Sequence, residues 1–141
     1  MDAKEEKNTA ETQAQSSPEQ RELQTMTTVS DIVLNQFLEN IILNINLTPV
    51  DKKFDVDLYL QANEFISEET LLKNSYSILK PVQQIKAIHD FTIKWHMLVK
   101  NRNTEVLTLS FNEKTISSIE NFSYADLKQS ATTYRKHENL H

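Results

Sequence analysis

Apolar positions along this chain recur mostly at helical spacing. Leu34, Phe37, Leu38, Ile41, Ile42 and Ile45 follow one another in alternating steps of three and one, which places them on one broad side of a helix. The spacing predicts a helix from about Thr28 to Leu47, capped by Thr28 or Ser30 and stopped before Pro49. Because its apolar positions cover much of the circumference, such a helix needs burial on several sides. A second helix is expected after the cap Ser67, where Glu68 and Glu69 suit the positive helix end. Its apolar contacts would be Leu71, Leu72, Tyr76, Ile78 and Leu79. Beyond Pro81 a third helical pattern runs through Ile85, Ile88, Phe91, Thr92, Trp95, Leu98 and Val99 to a turn at Asn101-Arg102-Asn103.

Two segments read differently. From Phe54 to Leu60, apolar Phe54, Val56, Leu58 and Leu60 alternate with Asp55, Asp57 and Tyr59, as in a half-exposed strand. The same segment also fits a helix through Phe54, Leu58, Ala62 and Phe65, and the lack of a turn signal after it favours that reading. From Thr104 to Phe111, the alternation of Leu107, Leu109 and Phe111 with Thr108 and Ser110 is strand-like. The expected fold is therefore mainly α, a small helical bundle or set of coiled-coil-like hairpins in one domain over residues 26–141. The alternative is an α+β domain with a two-stranded ribbon from 54–60 and 105–111. Further helices are expected around Ile116, Ile119 and Phe122 and after Ser123.

Composition narrows the chemistry. The chain has 141 residues and no glycine, where an average sequence of this length carries roughly ten. Glycine-rich phosphate cradles and the Gly-flanked nucleophile elbow are thereby excluded. There is no cysteine, which removes disulfides and thiolate metal sites and favours a reducing compartment, cytoplasm or nucleus. Residues 1–25 carry six acidic and three basic side chains with Leu23 as the only large aliphatic after Met1, so they read as a disordered acidic tail without an apolar leader. Ser17-Pro18 within it is a candidate phosphorylation site. No apolar run is long enough to span a membrane. The net charge of −5 disfavours a nucleic-acid surface, and Lys94, Lys100 and Arg102 around Trp95 are the one local basic cluster.

Candidate chemistry is sparse. His137-Glu138-Asn139-Leu140-His141 matches the H-E-x-x-H pattern, in which a helix presents two histidines to zinc and a glutamate to its water. Here it occupies the last five residues of this sequence, and no third ligand after it is expected. His89 and His96, seven apart, lie too far apart along a helix to share one ion. Asp55 and Asp57 read as a solvated pair. The expected function is a non-enzymatic helical adaptor, or a subunit of a larger protein assembly. It would bind protein partners through Leu34, Phe37, Leu38, Ile41, Ile42, Ile45, Ile85, Ile88 and Trp95. No cofactor, metal or small-molecule substrate is expected. The alternatives are a metal-dependent hydrolase built on the C-terminal motif and a nucleic-acid-associated domain.

Overall fold

In a computed structural model, residues 17–141 are described. Residues 1–16, most of the expected tail, lie outside them. The chain forms α1 (Pro18–Leu34), β1 (Ile42–Val50), β2 (Lys53–Gln61), α2 (Glu68–Val82), β3 (Ile88–Val99), β4 (Arg102–Asn112), α3 (Glu113–Ser117), two 3₁₀ turns, α4 (Leu127–Ser130) and β5 (Thr133–Lys136). The strands make one sheet in the order β1-β2-β3-β4-β5. β2 and β3 run parallel, joined through α2, and every other neighbouring pair is antiparallel. The fold is α+β. The expectation of a mainly α bundle or coiled coil is overturned, and the two-stranded ribbon of the alternative is also incorrect, because segments 54–60 and 105–111 sit in β2 and β4 with β3 between them.

The predicted helix over 28–47 is divided in two. Its first part belongs to α1, which begins at Pro18 and so takes in residues 18–25, assigned to the tail by composition. Ser17 caps α1 in a reciprocal capping box with Gln20. Its second part is β1. There Ile45 and Leu47 face the core side opposite Leu58 and Val56, while Asn44, Asn46 and Thr48 alternate outward. Three β-branched isoleucines and four asparagines between positions 35 and 46 disfavour helix and fit an edge strand. Pro49 is tolerated for the same reason.

The helical pattern from Ile85 to Val99 is likewise a strand, and a bulge explains the misreading. β2 advances from Phe54 to Val56 while β3 advances from Ile88 to Phe91. The extra residue stretches a two-residue step to three, so Ile88, Phe91 and Trp95 mimic helical spacing. Beyond the bulge, Phe91, Ile93, Trp95 and Met97 are buried in strict alternation. Pro81 lies inside the last turn of α2, which ends one residue later at Val82.

The core lies between one sheet face and the helices, with Val29 and Val33 from α1 and Leu71, Leu72, Ile78, Leu79 and Val82 from α2 against Leu58, Leu60, Phe91, Ile93, Trp95, Leu109 and Phe111. Each fully buried aliphatic or phenyl side chain contributes about 1.5–3 kcal/mol. The indole N–H of buried Trp95 donates to Ser75 Oγ at 2.8 Å, and Ser75 donates in turn to the Leu71 carbonyl at 2.7 Å. With no glycine available, Asp51, Lys100 and Asn101 supply the positive φ values of the tight turns. The β3–β4 turn centres on Lys100–Asn101, one residue earlier than Asn101-Arg102-Asn103. No helix among the described residues is long and apolar enough to cross a membrane.

Candidate functional site

β1 starts, and β2 and β3 finish, at the same end of the sheet. The connections 35–41 and 62–67 meet there. Both are pinned by asparagine side chains: Asn40 Oδ1 accepts from the Ile42 N–H at 3.0 Å, and Asn63 Oδ1 from the Phe65 N–H at 2.9 Å. Between them opens a cavity of about 380 Å³, with Phe37, Ile41, Ile66 and Trp95 as its apolar lining and Glu39, Asn40, Gln61, Asn63 and Asn74 as polar lining. The rings of Phe37 and Trp95 meet edge-on, their centroids 6.5 Å apart. The two loops also carry the most exposed large apolar side chains described: Leu38 is 107% and Phe65 89% exposed. Leu43 and Leu98, also exposed, sit on the adjoining ends of β1 and β3. Among the described residues, four of the six exposed large apolar side chains therefore belong to segments at this end.

A second cluster forms at the β3 bulge, towards the other end of the sheet. Two residues of β3 oppose Asp55 alone, so His89 and Asp90 both turn towards it. His89 Nδ1 lies 2.8 Å from Asp55 Oδ1 and 3.4 Å from Asp90 Oδ1, and the Asp90 N–H donates to Asp55 Oδ1 at 3.1 Å. The hydrogen bond from His89 to Asp55 raises the imidazole above its ordinary value, reinforced by the charges of Asp90, Asp55 and Glu113. Burial raises the Asp90 carboxyl. The ligand atoms of Asp55, His89 and Asp90 lie within 4.8 Å of one another. A carboxylate only accepts, so Nδ1 carries the proton in this arrangement.

No family model, curated protein or solved structure matches the chain.

On the polar face of the sheet, Lys94 Nζ lies 3.3 Å from Tyr59 Oη and His96 packs beside the same ring. Burial lowers the His96 pKa. Asp57 and Glu105 share this face, so the basic cluster read around Trp95 is dispersed: Lys94 and His96 lie on this face among carboxylates, whereas Trp95 points into the core. The C-terminal H-E-x-x-H residues are not helical. His137 Nδ1 accepts from the Asn139 N–H at 3.0 Å and Leu140 is buried, so the two histidines do not share a helix face.

The residues singled out from the sequence are partly gathered at the apolar end. Leu34 closes α1, Phe37, Leu38 and Ile41 lie in the loop after it, and Ile42 and Ile45 are half-buried in β1. Trp95 is interior and forms part of the cavity lining; Ile85 and Ile88 lie at the opposite end of β3, Ile88 buried. Phe65 was read only as a possible helix contact. Its signal is an isolated aromatic between Asn63-Glu64 and the cap Ser67, outside any strand register.

Proposed function

We propose that the protein is a non-enzymatic interaction module, a component of a larger assembly that binds a protein partner through its apolar end. The observation that carries this reading is the pair Leu38 and Phe65, fully exposed on pinned loops beside an apolar cavity. Single exposed leucines are ordinary, whereas the exposed Leu38 and Phe65 both stand on loops next to residues that line one cavity, the kind of apolar surface that marks an interaction site. A cavity lined by Phe37, Ile41, Ile66 and Trp95 suits an inserted aliphatic or aromatic side chain, the form in which interface energy concentrates. The surrounding asparagines and Gln61 offer uncharged hydrogen-bonding groups to the partner backbone. A chain without cysteine suits an assembly in the cytoplasm or nucleus.

The test is affinity purification of the tagged full chain beside a Leu38→Asp/Phe65→Asp variant. Wild type should retain a stoichiometric protein companion that the variant loses, with unchanged circular dichroism. A companion retained equally by both, or none with either, overturns the proposal.

A further inference from the structure

The two edges of the sheet differ in kind. β5 is four residues long and carries Arg135 and Lys136, and Tyr134 is tied to Glu68 of α2. Short, charged edges resist pairing with other strands. β1 has nine residues, and from Ile41 to Val50 there is no charged side chain.

The free hydrogen-bonding groups of β1 can be read from its register. Its hairpin with β2 closes through the two-residue turn Asp51–Lys52, which makes Val50–Lys53 a hydrogen-bonded pair. Alternation then points the main-chain groups of Thr48, Asn46 and Asn44 at β2, and those of Pro49, Leu47 and Ile45 outward. Two observations agree. The Ile45 N–H is met by the side chain of Asn44, at 2.9 Å, rather than by β2. Pro49, which has no N–H, falls on the outward parity.

We infer that β1 pairs antiparallel with β1 of a second copy of this chain, about a two-fold axis at Asn46, joining two five-stranded sheets into one. Only pairings that set outward residues against outward residues are allowed. Centring on Leu47 sets Ile45 against Pro49, which has no donor, and centring on Ile45 sets Leu47 against Leu43, inside the β1 bulge. Centring on Asn46 sets Ile45 against Leu47 on both sides of the axis, giving two reciprocal pairs of main-chain hydrogen bonds. The Asn44 side chain then yields the Ile45 N–H to the second strand.

The facing residues place no like charges together when a second copy is the occupant. Each copy carries −5, yet every facing pair in this register is uncharged: Asn46 with itself, and Asn44 with Thr48. On the helix side, half-buried Ile45 and Leu47 meet Leu47 and Ile45 of the second copy, which continues the core across the axis. The edge has no charged side chain with which to select a different strand. The pairing leaves the two apolar ends at opposite limits of the combined sheet, so the assembly would be bivalent towards partners.

Analytical ultracentrifugation of the full chain should give twice the chain mass at tens of micromolar. Asn46→Lys opposes like charges at a non-hydrogen-bonded pair, where Cα atoms approach to about 4.5 Å, and should give a monomer; Asn46→Asp should do the same. Mixing the two variants should restore the dimer, because Lys then faces Asp. A monomeric wild type, a dimer that survives both substitutions, or variants that stay monomeric when mixed overturns the inference. Hydrogen exchange on wild type gives a reading without substitution: the Ile45 and Leu47 amides should slow as concentration rises. Rapid exchange at every concentration overturns it too.

Discussion

His89 and His96 lie on one strand and are driven in opposite directions by their neighbours. His89 faces Asp55, Asp90 and Glu113, which favour its charged form. His96 is set among Tyr59, Gln61 and Lys94, with Glu105 the carboxylate opposing the effect of its burial. An NMR titration of the imidazoles should place His89 above 6.5 and His96 below it. The consequences for stability follow in sign. The contribution of His89 is fully present below pH 6.5 and is lost as pH rises through its raised folded value. That of His96 is present above 6.5 and is lost as pH falls through its lowered one. Coincident titration near 6.5 would contradict both assignments. Neither environment was legible in the sequence, because Asp55 is thirty-four positions from His89 and only the bulge brings them together. Ser75 is a similar case: its role is defined by a tryptophan twenty positions away, and removing its hydroxyl would leave a buried indole N–H unpaired, costing about 1–3 kcal/mol.

At the scale of elements, local signals succeeded where no tertiary feature intervened. The Ser67 cap, the helix after it and the alternation of Leu107, Leu109 and Phe111 appear as expected, because caps and regular pleating are written in adjacent residues. β1 and β3 were misread because bulges change the spacing of apolar positions and a bulge declares itself only against a neighbouring strand. Pairing was equally hidden. The alternation in Phe54 to Leu60 was visible, but not that β3 would lie beside it. Phe37 and Leu38, read from the sequence as part of a helical stripe, lie instead in the loop 35–41. The turn after β3 carries a further consequence of a chain without glycine. Lys100 holds φ at 51°, in the left-handed region that hinders a side chain with Cβ by about 1–2 kcal/mol. Lys100→Gly should therefore raise unfolding free energy by about 0.5–1 kcal/mol, part of the relief being offset by the greater freedom of unfolded glycine. Urea denaturation checks it, and a destabilised variant would show that the turn is not strained.

At the scale of the molecule, the chain divides its labour between a closed core on one sheet face and open features at the rim. The apolar end and the β1 edge are separate surfaces. The central parallel pairing has a consequence of its own. β1 and β2 with α2 form one sequence-contiguous half, and β3, β4 and β5 the other; the sheet joins them only along β2 and β3. Gln84 and Lys86 in the link between the halves are exposed, so a nick there breaks no ladder bond. Peptides 1–84 and 85–141 should each lack a stable far-ultraviolet signature alone, since each leaves a central strand bare, and should regain the intact spectrum on mixing. Failure to recover it would mean that the covalent tether is indispensable. Success would make this small domain a natural reporter by fragment complementation, silent until its two pieces are brought together.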